Sequence, residues 1–244
     1  MKNAIIGATG LIGNRLSKLI EADHYNSKNI NELKSGYDCV FVCAPRDKKW
    51  WANQNATTDA QNIKELVDKI NASNPKKIIH FSTIDVYGAI DHNGLANEKT
   101  IPSPDCPYGK NRLDMENAWT AKSTIIRLPG LYGIDLKKNF LFDLKNKTDF
   151  YKNSCMNSSF QWFDLDKLSE LIAPEKFCGY IENEKKIVLN VTTEPITNHE
   201  IVNAVGADSC AGTNAVHYNI KSLFGYFGSK EENLKQICEY LNAK

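Results

Sequence analysis

The chain has 244 residues, enough for one α/β domain with a small appended lobe and too few for two large domains. An apolar content of 42% and a formal net charge of +1 describe a folded, soluble chain with no electrostatic case for nucleic acid or an anionic membrane. Cys39, Cys43, Cys106, Cys155, Cys178, Cys210 and Cys238 are scattered and odd in number, so they read as reduced, mostly buried thiols of a cytoplasmic protein, with no metal expected. No apolar run approaches the roughly 20 residues that span a bilayer. A glycine loop that already begins at Gly7 argues against a signal peptide.

Short β-like runs alternate with helical patterns along the chain, the signature of a doubly wound parallel sheet in an α/β protein. Lys2–Ile6 is the first expected strand and Leu11–Glu21 the helix after it. The second strand is short, Ala22–Tyr25. Cys39–Cys43 is an uninterrupted apolar run, which suits a central strand buried on both faces. Asp59–Ile70 places Ile63, Leu66, Val67 and Ile70 at helical spacing. Lys77–Ser82 is the next strand, followed by a long polar loop through Pro107. Tyr108–Ala121 reads as a helix, and Thr124–Leu128 and Ile187–Val191 as strands. The segments 130–160 and 195–244 are expected to form a smaller substrate lobe, with residues 1–129 mainly the dinucleotide-binding core. The strand near 187–191 would return to the core sheet.

Gly7-Ala8-Thr9-Gly10-Leu11-Ile12-Gly13 falls where the first strand turns into a helix. In that context Gly7 suits a tight turn, Gly10 a close backbone approach to a pyrophosphate, and Gly13 the packing of helix on strand. The first N–H groups of the helix, around Thr9, Leu11 and Ile12, would face the phosphates. The acidic residue that often grips the adenine ribose about 20 positions later is replaced by Asn26-Ser27-Lys28-Asn29. Ser27 and Lys28 suit a 2′-phosphate, which places NADP ahead of NAD; a merely solvated Lys28 is the equal alternative. Trp50 and Trp51 follow the central strand and read as packing anchors rather than walls of a site. None of the five histidines has metal-ligand spacing.

Two further segments carry chemistry: Phe81-Ser82-Thr83-Ile84-Asp85-Val86-Tyr87-Gly88 and Pro107-Tyr108-Gly109-Lys110-Asn111-Arg112-Leu113-Asp114-Met115-Glu116. With the GxxGxxG loop, they closely resemble the extended short-chain dehydrogenase/reductases, the sugar-nucleotide epimerases and dehydratases. The resemblance implies an NAD(P)-binding Rossmann fold in which Thr83 holds the substrate oxygen and Tyr108 transfers the proton. The family writes Tyr-x-x-x-Lys, and Arg112 stands here in place of the lysine that holds the nicotinamide ribose. Residue i+4 shares a helix face with residue i, so Arg112 can supply a positive charge that lowers the Tyr108 phenol from its usual value near 10. Lys110, two residues on, points elsewhere. Arginine is permanently charged and cannot relay a proton as lysine can.

Asp85 occupies the second acidic position of the family's dehydratases, where an Asp-Glu pair removes water, while Ile84 is apolar. It is a candidate base, or else the cap of the following turn. By resemblance, Cys43, Ala44 and Pro45 run beside the adenosine half of the cofactor, and Pro129 also borders it. Arg127-Leu128-Pro129-Gly130-Leu131-Tyr132-Gly133 resembles Arg-x-x-Asn-x-Tyr-Gly, with Gly130 in place of a substrate-contacting asparagine. Lys137, Lys138 and Asn139 stand close by to contact a diphosphate. Phe160–Ile172 and Leu189–Thr197 resemble the family's later signatures.

The expected activity is redox chemistry on a sugar or nucleotide sugar: epimerisation, dehydration or keto reduction. The alternative is a dinucleotide-binding protein with little turnover that acts as a sensor or partner-binding module. The resemblance also implies a homodimer through a four-helix interface made by the Asp59–Ile70 and Tyr108 helices.

Overall fold

The computed structural model describes residues 1–45, 48–91, 94–171 and 186–243. In chain order the elements are β1 (Asn3–Ile6), α1 (Leu11–Leu16), β2 (Asp23–Tyr25), β3 (Cys39–Val42), α2 (Lys49–Gln54), α3 (Ala56–Ala72) and β4 (Lys77–Thr83). A 3-10 turn over Ile84–Tyr87 leads towards α4 (Pro107–Asn117), β5 (Lys122–Leu128), β6 (Gly130–Tyr132) and α5 (Phe140–Lys145). Next come β7 (Ser159–Phe160), β8 (Trp162–Asp164), α6 (Leu165–Leu171), β9 (Lys186–Asn190), β10 (Ile196–Thr197), α7 (Asn198–Val205) and α8 (Lys230–Asn242).

Six strands form one sheet in the order β2-β1-β3-β4-β5-β9. β1 pairs in parallel with both β2 and β3, and β3 pairs in parallel with β4, with Ile6 level with Val42 and Val42 level with His80. The chain therefore leaves β1, β3 and β4 at the same carboxyl edge. The strand order reverses between β1 and β3, the position at which open α/β sheets bind ligands. Central strands buried on both faces explain the unbroken apolar runs Val40–Val42 and Ile78–Ile79. Ile63, Val67 and Ile70 of α3 and Met115 of α4 complete this core against Val40 and Ile78.

The chain divides into two compact units. The first comprises Met1–Gly88, Pro102–Arg127 and Leu168–Leu189, and the second Ala89–Ile101, Leu128–Lys167 and Asn190–Lys244. Residues Ala89–Ile101, read from sequence as a loop of the core, instead join the second unit. Ile90 N–H donates to His217 O at 3.0 Å, Ala96 N–H to Asn219 O at 3.1 Å, and the Glu98 carboxylate accepts from the N–H groups of Asn190 and Leu223. The second unit has its own core, around Tyr132, Leu141, Trp162, Ile196, Ile201 and Ile237.

Several element ends differ from their sequence expectation for local reasons. The first helix stops at Leu16 instead of Glu21, because Ser17 Oγ donates back to Gly13 O and the next N–H groups close onto residues three back. The Tyr108 helix ends at Asn117 instead of Ala121, and Trp119 beyond it turns inward to donate to His80 Nδ1 at 3.2 Å. Trp51 is half-buried, but Trp50 is 59% exposed, so the packing role expected of the pair fits Trp51 alone. Cys155 is buried, and Cys39, Cys43, Cys106, Cys210 and Cys238 are half-buried, less enclosed than expected. Cys178 and Ile172 lie outside the described residues. Among the described residues no helix is long and apolar enough to cross a membrane, and no group of three or more metal-ligating side chains is gathered.

Candidate functional site

The glycine loop closes β1 onto α1. Gly7 has φ +84°, and a Cβ there would stand 2.8 Å from Cys43 O, so the fold itself demands glycine. Gly13 is equally constrained, since its Cβ would fall 2.2 Å from Gly7 O. Gly10 differs: it caps α1 with φ −78°, and its nearest would-be contact is Gly7 O at 3.2 Å, tight but without a hard clash. Packing therefore accounts for Gly7 and Gly13 and only weakly for Gly10. That leaves an open backbone face at Gly10, where Leu11 and Ile12 present first-turn N–H groups that lack helical acceptors. A dinucleotide pyrophosphate fits such a cradle.

The rest of this edge comes from β2 and β3. Tyr25 O accepts from Gly7 N–H and Ala8 N–H at 2.8 and 3.1 Å, fixing the loop to the end of β2. Ser27 and Lys28 lie exposed in the turn beyond, where the Asn26 side chain accepts from Lys28 N–H at 2.8 Å. Cys43, Ala44 and Pro45 leave β3 beside Gly7, with the Ala44–Pro45 peptide cis.

Thr83 ends β4 and opens the 3-10 turn. Its Oγ1 accepts from Asp85 N–H at 3.1 Å and donates to Asp85 Oδ2 at 3.2 Å. The Asp85 carboxylate is met from α2. Its Oδ1 takes the Lys49 ammonium at 2.7 Å, and it is the Asp85 main-chain oxygen that accepts from Gly88 N–H. Sequence reasoning had no role for Lys49. The signal lay in α2, where Lys49 and Asn53 are four apart on one face. Asn53 Oδ1 accepts from Tyr108 N–H at 2.9 Å, so one face of α2 touches both the Asp85 turn and the start of α4.

Gly109 is the second residue the sequence reading passed over. A Cβ there would stand 2.4 Å from Asp85 O, so only glycine lets α4 lie against the turn. This close approach brings the start of α4, which carries half-buried Tyr108, against the turn that Thr83 opens. Arg112 is 4% exposed, with its guanidinium centre 4.4 Å from the centroid of the Tyr108 ring. Its Nη1 donates to Asp59 Oδ2 at 2.7 Å and its Nη2 to Asp59 Oδ1 at 3.4 Å. Asp59, also buried, sits in the first turn of α3 and accepts from Asn111 Nδ2 at 2.9 Å as well. Lys110 faces outward and pairs with Asp114.

Beneath these residues a buried network ties the turn, α4 and β5 together. Glu116 accepts from Ser82 Oγ at 2.6 Å and from Arg127 Nη2 at 2.6 Å, and Arg127 Nη1 donates to the Tyr87 hydroxyl at 2.7 Å. Such a network fixes one arrangement of the supporting elements, because breaking it strands a buried charge.

Pro129, Gly130, Lys137 and Asn139 belong to the second unit. A Cβ at Gly130 would stand 2.7 Å from the Trp162 ring, so this tryptophan takes the space that a side chain at 130 would need. The Asn139 amide caps α5 by accepting from Phe142 N–H at 2.9 Å and donates to Leu131 O at 2.9 Å.

Residues 16–139 match the model of the NAD dependent epimerase/dehydratase family, and the chain belongs to that family. No curated protein matches the sequence. Among solved structures, UDP-N-acetylglucosamine 4-epimerase from Methanobrevibacter ruminantium M1 superposes with a TM-score of 0.74 at 14% identity, covering 98% of this chain and 96% of its own. A dTDP-glucose 4,6-dehydratase from Streptomyces venezuelae, determined with NAD bound, gives 0.71 at 16% identity over 98% and 91%. The UDP-glucose 4-epimerase of Thermotoga maritima gives 0.68 at 17% identity over 98% of each chain. At these identities the likeness shows the fold, the Rossmann-type α/β sheet of this family.

Proposed function

We propose that the chain carries out NAD(P)-dependent redox chemistry on a nucleotide sugar, as an epimerase, dehydratase or keto-reductase. The observation that carries this reading is the approach of Gly109 to Asp85, which brings the start of α4, where Tyr108 stands, against the turn that Thr83 opens at the carboxyl edge of the sheet. Family membership, with Thr83 and Tyr108 both retained, supports an enzyme over a binding module. The nicotinamide, when bound, supplies the hydride acceptor or donor. In this reading Gly7, Thr9, Gly10, Leu11, Ile12 and Gly13 hold the pyrophosphate, and Cys43, Ala44 and Pro45 border the cofactor. Thr83 orients the substrate oxygen, and Tyr108 and Asp85 handle protons. Arg112 reaches the cofactor side through Tyr108, since its own charge is balanced by Asp59.

Exposed Ser27 and Lys28 favour NADP, while NAD is the cofactor bound in the Streptomyces venezuelae dehydratase. A homodimer through α3 and α4 would meet across polar faces, because their outward positions carry Gln61, Lys64, Glu65 and Lys110. The reading is tested by mass spectrometry of small molecules that co-purify with the protein. Incubation with UDP-glucose, UDP-N-acetylglucosamine and dTDP-glucose in the presence of NAD or NADP follows. Retained NAD(H) with interconversion of a sugar supports an epimerase or dehydratase, and NADPH consumption a reductase. No dinucleotide binding and no turnover on any of the three would overturn it.

A further inference from the structure

Arg112 carries a full charge against the ring of Tyr108, and the fold gives that charge an immediate counterpart. The guanidinium centre lies 4.4 Å from the ring centroid, and Nη1 meets Asp59 Oδ2 at 2.7 Å. Asn111 Nδ2 donates to the same carboxylate at 2.9 Å, so α4 grips Asp59 through both Asn111 and Arg112. The Arg112 and Asp59 side chains are each 5% exposed. Water cannot screen a guanidinium so enclosed, and the Asp59 carboxylate decides how much of its charge reaches Tyr108.

We infer that Asp59 is a positioning residue that acts on Tyr108 through Arg112. It offsets the guanidinium charge, so that Tyr108 keeps its hydroxyl proton and serves as the acid in reducing a carbonyl of a nucleotide sugar. This inference rests on the functional reading above and gives that reaction its direction.

The charge state of a tyrosine sets the direction in which it works. An uncompensated cation a few ångströms away favours phenolate, the form that takes a proton from an alcohol. Opposite charges 2.7 Å apart act together, and by Coulomb's law their effects on a third group largely cancel. The other groups on elements packed against α4 add no free cation. Lys49 of α2 holds Asp85 of the turn at 2.7 Å, and Arg127 of β5 holds Glu116 at 2.6 Å. Lys110 pairs with Asp114 on the outer face of α4, and Asp105 before it is exposed. Burial pushes His80 of β4 down to about 3 and raises the Cys106 thiol, so both are neutral at neutral pH.

In the step itself the Tyr108 O–H bond breaks, and its proton passes to the oxygen of the substrate carbonyl that Thr83 orients. The carbonyl carbon takes a hydride, with its two electrons, from a reduced nicotinamide dinucleotide. The carbonyl becomes an alcohol and the dinucleotide is oxidised. The phenolate left on Tyr108 regains a proton from water.

The first arm of the test needs no substrate. Tyrosines of the intact protein are labelled with ¹³C at Cζ, and the Tyr108 resonance is identified by its loss in Tyr108→Phe. In the wild-type protein this signal should keep its phenol position through neutral pH. Asp59→Asn leaves the Arg112 charge without its counterpart and should lower the Tyr108 titration by about 1–3 pH units, the usual effect of a close opposite charge. Asp59→Asn combined with Arg112→Gln strands no buried ion and should titrate close to wild type. An unmoved titration in Asp59→Asn, or a Tyr108 phenolate at neutral pH in the wild type, overturns the inference. So does a clear rise in the double variant, which decides alone if Asp59→Asn fails to fold.

The second arm is turnover. NADPH or NADH should be consumed with dTDP-4-keto-6-deoxyglucose, and the alkaline limb of that pH–rate profile should move to lower pH in Asp59→Asn. A merely structural Asp59 would lower the rate at every pH and leave the limb in place, which overturns the inference. Turnover of UDP-glucose or dTDP-glucose with no reduction of the keto sugar also overturns it, while the functional reading stands. A Tyr108 titration that responds as expected, in a protein that binds no dinucleotide and turns over none of these sugars, would overturn the functional reading and the reduction with it. Asp59 would then be the counterion of Arg112 and nothing more.

Discussion

Arg112 and Asp59 form a buried ion pair across α3 and α4, 2.7 Å from Nη1 to Oδ2, directly under the aromatic ring of Tyr108. Arg112, four residues after Tyr108, is therefore balanced by a partner on another helix. Its planar guanidinium meets both carboxylate oxygens while stacking on the tyrosine, a geometry that an ammonium cannot reproduce.

Asp59→Asn should leave the Arg112 charge buried without compensation. Removing one partner of such a pair costs about 3–5 kcal/mol, so the urea midpoint should fall markedly. Arg112→Lys keeps the charge but loses the second contact to Asp59 and the stacking on Tyr108, so its loss should be smaller. A stability equal to wild type in Asp59→Asn would show that the pair is solvated in solution.

Much of this fold could be read from the sequence because its signals are local. An unbroken apolar run marks the strand from Cys39, and the spacing of Ile63, Val67 and Ile70 marks α3. The order of the glycine loop, Thr83 and Tyr108 carried the family. What stayed hidden depends on contacts between distant segments. Lys49 meets Asp85 across 36 residues, Arg112 meets Asp59 across 53, and nothing in either local sequence announces the partner. Trp162 filling the space at Gly130 and the second unit claiming Ala89–Ile101 are of the same kind. The end of α1 was missed for a local reason, the bond from Ser17 back to Gly13.

His80 gives the protein a pH-dependent stability. It is fully enclosed, and burial, helped by the charges of Arg112 and Lys186, lowers its pKa to about 3. The unfolded chain binds a proton near pH 6.5. Between these values only the unfolded state is protonated, so stability should fall as pH drops below about 6.5, by up to about 1.4 kcal/mol per pH unit, with no contribution above it. His80→Asn can keep an acceptor for the Trp119 N–H and cannot titrate. Denaturation midpoints from pH 7 to pH 4 should fall less steeply in this variant. Parallel slopes in the two proteins would remove His80 as the cause.

Tyr108→Phe deletes one hydroxyl and keeps the ring that stacks on Arg112. Fold, stability and dinucleotide affinity should therefore be retained. Turnover on a nucleotide sugar should fall by roughly 10²–10⁴-fold, the usual cost of a lost acid/base group. Near-normal turnover would assign proton transfer to Thr83 and Asp85 and leave the tyrosine a packing role.

The glycine loop allows folding and binding to be separated within seven residues. At Gly13 an added Cβ would stand 2.2 Å from the Gly7 carbonyl, closer than atoms can approach, so Gly13→Ala should push α1 off the end of β1 and destabilise the protein. At Gly10 the nearest atom to an added Cβ is 3.2 Å away and φ is −78°, a conformation open to any residue. Gly10→Ala needs a shift of only a few tenths of an ångström, and Gly10→Val adds methyl groups on the side where the pyrophosphate would lie. Both Gly10 variants should keep a near-wild-type unfolding midpoint, while dinucleotide affinity measured by calorimetry falls modestly in Gly10→Ala and severely in Gly10→Val. Full affinity in a folded Gly10→Val protein would mean that no phosphate approaches this backbone, and the loop would lose its assignment as a cofactor cradle.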